Sequence, residues 1–81
     1  MKTERIERRK PSILIVDDSP LVRYQLVDIF EDLGFEVAGE VSNGIEAIML
    51  YKENKTDFIT LDLMMPEKDG YDTLDELLNI D

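Results

Sequence analysis
The chain has 81 residues, 43% of them hydrophobic, which limits it to one globular domain with a small core. It contains no Cys and no His, so disulfides, thiolate metal sites and imidazole catalysis are excluded, and any chemistry runs on carboxylates, hydroxyls and backbone groups. The formal net charge of −10 disfavours nucleic acid and anionic membrane and favours cations and basic partner surfaces.

Residues 1–10 carry five basic and two acidic residues, against four basic and seventeen acidic in residues 11–81. Lys2, Arg5, Arg8, Arg9 and Lys10 are interrupted by Glu4 and Glu7 and read as a solvated extension, ending at Pro11. The domain proper is expected over 11–81. Ser12 to Val16 (SILIV) is a continuous apolar run rich in β-branched residues, suited to a parallel strand covered on both faces. Asp17 and Asp18 end it. Ser19-Pro20 reads as the N-cap and first residue of a helix over Pro20 to Leu33, with Val22, Leu26, Ile29, Phe30 and Leu33 on its apolar stripe and Gly34 as its stop. Leu21 and Tyr24 fall off that stripe.

Phe35 to Val41 reads as a second strand, Ser42-Asn43-Gly44 as a turn, and Ile45 to Asn54 as a second helix burying Ala47, Ile48 and Tyr51. Asp57 to Leu63 (DFITLDL) is a third strand. The loop Met64 to Gly70 is punctuated by Pro66 and Gly70, the latter read as a left-handed turn residue. A third helix follows over Tyr71 to Ile80, with Tyr71, Leu74, Leu77 and Leu78 on one side. No apolar run is long enough to cross a membrane, and the charged N-terminus lacks the apolar centre of a secretory signal. The expected setting is cytoplasmic.

The order βαβαβα predicts an α/β fold with a parallel sheet. Right-handed crossovers allow strand order 1-2-3 or 2-1-3. The second puts helices on both faces, giving the three-layer αβα arrangement that the fully apolar first strand requires, and sets strands 1 and 3 about 4.8 Å apart. Asp17, Asp18 and Asp62 then meet at the switch point where open α/β sheets bind ligands. Three carboxylates so close repel one another, and a hard divalent cation relieves that repulsion. Mg²⁺ suits the site because it takes few carboxylates and keeps several waters.

The segments ILIVDDSPLVR, VSNGIEAI and ITLDLMMPEKDGYDTL, the last with Pro four and Gly eight residues beyond Asp62, resemble the receiver domain of two-component response regulators, especially the single-domain chemotaxis type. The resemblance runs from about Pro11 to the C-terminus and covers three of the five βα units of that flavodoxin-like fold. It implies that Asp62 accepts a phosphoryl group from a phosphohistidine on a histidine kinase or phosphotransfer protein. It implies Mg²⁺ held by Asp18, Asp62 and the backbone carbonyl of Met64, with Asp17 acting mainly through water. Leu21 and Tyr24, at the start of the first helix, become candidates for docking that partner. The family's Thr or Ser after strand 4 and its Lys after strand 5 have no counterpart here, so impaired switching is expected. The third strand is expected to present an open edge and to drive self-association. A contrasting reading is an inert half-domain that only assembles. A haloacid-dehalogenase-type phosphatase would need a second Asp two residues after the nucleophile, where Met64 stands.

Overall fold
Continuous apolar character puts Ser12–Val16 (β1) at the centre of the molecule, where Ile13, Leu14, Ile15 and Val16 are all buried. A computed structural model describes residues 9–62 and 70–80. Residues 1–8 of the charged extension and the loop at 63–69, with Met64 and Pro66, lie outside the described residues.

The elements follow β1 as α1 (Pro20–Asp32), β2 (Glu36–Val41), α2 (Gly44–Glu53), β3 (Phe58–Leu61) and α3 (Gly70–Leu78). The sheet is parallel with order β2-β1-β3. The chain therefore reverses direction across the sheet between its first and second crossovers, and right-handed connections put α1 and α2 on opposite faces. This is the expected three-layer flavodoxin-like arrangement. The pairing of β1 with β2 skips Ala38, since Ile13 faces Val37 and Leu14 faces Gly39. Gly39 has a packing reason: a Cβ there would stand 3.1 Å from a methyl of Leu50. On the α2 face Leu14, Val16, Val41 and Ala47 form the core, with Leu50, Tyr51, Ile59 and Leu61 packed around it. On the α1 face Phe35 meets Phe30 and Phe58 edge to face, at centroid distances of 5.2 and 5.6 Å.

The helix ends obey local chemistry. Ser19 caps α1, its hydroxyl accepting from the Val22 amide, with Pro20 in the first turn. Gly34, at φ +94°, ends it in the left-handed region. Asn43, expected in a simple turn, is instead the N-cap of α2, its side-chain oxygen accepting from the Glu46 amide at 2.9 Å. Gly70 is not a left-handed turn residue. It is the buried first residue of α3, and among the described residues only Gly34 has positive φ.

Two apolar stripes are placed differently from expectation. No residue of α1 is fully buried, and Val22, Ile29 and Leu33 are exposed. This helix lies over β1 and β2, so only part of its stripe reaches the sheet. In α3 the buried residues are Gly70, Thr73 and Leu77, whereas Tyr71, Leu74 and Leu78 face outward. This helix packs mainly against α2, where the small residues Gly70 and Thr73 allow a close approach and Leu77 is buried as expected. Helical spacing alone does not distinguish two adjacent stripes; the neighbouring helix does.

Candidate functional site
The site is built at the C-terminal end of β1. Parallel pairing continues one residue past that strand on each side. The Asp17 amide donates to the Val41 carbonyl at 3.1 Å, and the Asp62 amide donates to the Val16 carbonyl at 3.0 Å. These bonds carry Asp17 and Asp62 to the same end of the sheet, and Asp18 follows on the turn into α1. One carboxylate oxygen from each of Asp17, Asp18 and Asp62 lies within 4.8 Å of the others. Asp17 and Asp62 are partly buried and Asp18 is exposed.

Local hydrogen bonds orient the first acid. Asp17 Oδ1 accepts from the Ser19 amide at 2.9 Å, a side-chain turn that fixes the carboxylate against the start of α1. Ser19 thus caps α1 with its hydroxyl while its amide holds Asp17. The cleft has a volume of about 440 Å³. Its polar wall is formed by the three acids with Ser19 and Thr60, and its apolar wall includes Val22 and Leu26 of α1. Thr60 lies two residues before Asp62 and its hydroxyl is buried without a hydrogen-bond partner among the described residues.

The donor set fits a hard cation. Among the described residues the candidate ligands are carboxylate oxygens, as Mg²⁺ prefers. Two Mg–O bonds of about 2.1 Å span about 4.2 Å, so acids separated by up to 4.8 Å reach one ion directly or through one of the waters that Mg²⁺ keeps. When bound, such an ion neutralises the acids and attracts a phosphoryl dianion.

The structure therefore brings together Asp17, Asp18 and Asp62. The expected carbonyl ligand, Met64, lies outside the described residues. Leu21 and Tyr24 stand on the first turns of α1, 65% and 72% exposed, beside the cleft rather than in it. Sequence reasoning missed Arg23, whose guanidinium donates to the backbone carbonyl of Asp17 at 2.8 Å and to Glu40 at 3.0 Å. A signal was present: Arg23 is the only arginine in residues 11–81, and it sits one helical turn after the cap Ser19.

Residues 13–81 match the response regulator receiver domain family. Over 69 residues the chain is 49% identical to the chemotaxis protein CheY of Thermotoga maritima and 46% identical to that of Bacillus subtilis. Each alignment covers 85% of this chain and 58% of the relative. Among solved structures, the CheX-CheY-BeF3-Mg complex from Borrelia burgdorferi is similar with a TM-score of 0.83 at 38% identity, covering 86% of this chain and 54% of that one. The chain thus spans little more than half the length of the relatives it matches.

Proposed function
The chain belongs to the response regulator receiver family, and from that premise we propose that it is a phosphoacceptor module of two-component signal transduction, with Asp62 as the acceptor. A carboxylate oxygen of Asp62 attacks the phosphorus of a phosphohistidine on a histidine kinase or phosphotransfer protein. The P–N bond breaks, its electron pair leaves with the imidazole, and the imidazole takes up a proton. The product is an aspartyl phosphate on the chain itself, so the chain is consumed in the step rather than turning over a released substrate. Asp17, Asp18 and Asp62 would hold Mg²⁺. Leu21 and Tyr24 receive the donor.

The observation that carries this reading is the meeting of three carboxylates, from two strand ends far apart in sequence, at the switch point of a 2-1-3 sheet. The test is phosphorylation of the chain by acetyl phosphate with Mg²⁺, followed by mass spectrometry. The expected result is one added phosphoryl group that disappears in Asp62→Asn. An unmodified wild-type chain, or label that persists in Asp62→Asn, overturns the assignment.

One observation favours a second behaviour of the 81-residue polypeptide. Among the described residues β3 pairs only with β1, and Leu74 and Leu78, which lie beside Ile59 and Leu61 of β3, are exposed. Such an edge favours self-association. Light scattering at tens of micromolar, about the range of modest interfaces, is expected to show dimers or larger species; a monomer rejects this reading.

A further inference from the structure
We propose that Arg23 is a positioning residue of the cation site, holding the acidic turn in shape from behind; this rests on the functional reading above. Three polar groups of Asp17 have partners, and each comes from a different part of the fold. The amide is held by Val41 of β2, and Oδ1 by the Ser19 amide within the turn. The backbone carbonyl is held by the Arg23 guanidinium of α1, at 2.8 Å. Arg23 in turn is anchored by Nε on Glu40 at 3.0 Å, at the end of β2. The Arg23 side chain is 18% exposed and its contact with the Asp17 carbonyl is partly buried, whereas Glu40 on the outer side of the pair is 46% exposed.

The guanidinium thus spans α1, β2 and the β1 exit. A planar fork with several donors serves two acceptors at once, whereas a lysine ammonium offers a point charge without that geometry. The carbonyl it holds belongs to the peptide between Asp17 and Asp18. Fixing that peptide sets the direction in which both carboxylates leave the backbone, and so their approach to Asp62. Arg23 does not touch the cleft itself; it acts through Asp17. An Arg-to-Ala change within α1 costs no helix propensity, so the helix is retained when the clamp is removed.

The experiment is a Mg²⁺ titration of the isotope-labelled chain, read from the amide resonances of Asp17, Asp18 and Asp62, with thermal unfolding measured alongside. Arg23→Ala is expected to weaken Mg²⁺ binding about tenfold in a folded protein, as loss of an outer partner of a metal site does. Glu40→Ala weakens binding in the same direction. Glu40→Gln, whose amide oxygen still accepts from Nε, restores the affinity that Glu40→Ala loses. A purely structural role would lower the unfolding temperature and leave the affinity of the folded protein unchanged. Folded Arg23→Ala with wild-type affinity, while Asp62→Asn abolishes binding, overturns the inference and leaves the functional reading intact. A wild-type chain with no saturable response to Mg²⁺ overturns both. Where Arg23→Ala does not fold, the Glu40 pair decides: equal affinities in Glu40→Ala and Glu40→Gln overturn the inference.

Discussion

Ser12 and Asp57 hold each other in a reciprocal arrangement across the N-terminal ends of β1 and β3. Asp57 Oδ2 accepts from both the amide and the hydroxyl of Ser12, at 2.9 and 3.2 Å, while the Ser12 hydroxyl accepts from the Asp57 amide at 3.1 Å. These bonds join residues 45 positions apart, one step before the ladder begins at Ile13 and Phe58. They support the parallel ladder, whose register brings Asp62 level with the end of β1 at the other end of the sheet.

Asp57→Ala is therefore expected to lower stability by about 1 kcal/mol, since the bonds are exposed and each is worth little net. The denaturation midpoint in urea should fall without a change in slope. Mg²⁺ affinity of the folded protein should stay the same, because Asp57 lies at the opposite end of the sheet from the acids. A midpoint equal to the wild type would show that the ladder sets the register without this pair.

Gly34 ends α1 at φ +94° with open space around its missing side chain. The cost of a substitution there is backbone strain alone. Gly34→Ala should destabilise the chain by about 1 kcal/mol, and Gly34→Asn by less, because Asn tolerates the left-handed region. Equal unfolding temperatures for the two variants would contradict this ordering.

Thr73 is fully buried, and its hydroxyl has no hydrogen-bond partner among the described residues. Thr73→Val keeps the branched shape and removes the unsatisfied group. It should raise stability by up to about 1 kcal/mol. A loss of stability on calorimetry would mean that the hydroxyl is satisfied in solution.

Mg²⁺ should stabilise the folded chain by mass action, by about 2.7 kcal/mol at a hundred times its dissociation constant. The unfolding temperature should rise with Mg²⁺ in the wild type and much less in Asp62→Asn. The same rise in both proteins would place the ion elsewhere.

Leu21→Ala and Tyr24→Ala should separate docking from chemistry. Both side chains are exposed beside the cleft, so neither shapes the acids. Transfer from a phosphohistidine donor should weaken by about 1 kcal/mol, roughly fivefold in apparent affinity. Labelling by acetyl phosphate should be unaffected. If both reactions fall together, the two residues act on the site and not on the donor.

Much of this architecture is written in local sequence. The SILIV run specifies a strand buried on both faces, because no polar side chain breaks it. Ser19-Pro20 and Gly34 bound α1 through groups one helical turn away or less. Asp17 and Asp18 are legible as strand-end residues because the apolar run stops there; Asp62 is expected near the end of a strand over Asp57 to Leu63, whereas β3 ends at Leu61 and Asp62 lies one residue beyond it. The resemblance to receiver domains rests on those same blocks.

Tertiary structure decided what those short-range rules leave open. Strand orders 1-2-3 and 2-1-3 both obey the crossover rule; the apolar first strand already pointed to the second, and the pairing of β1 with both neighbours bears it out. In α3, periodicity allowed the Tyr71, Leu74, Leu77 and Leu78 stripe; packing on α2 buried Leu77 of that set together with Gly70 and Thr73, which lay outside it. The Arg23 clamp joins Asp17 to Glu40 across 17 residues from the arginine and follows no sequence period. Capping and periodicity act over three or four residues, within the reach of one helical turn. The rotation of a helix on its sheet, and the side chain that then meets a distant carbonyl, are set by the summed packing of the whole core.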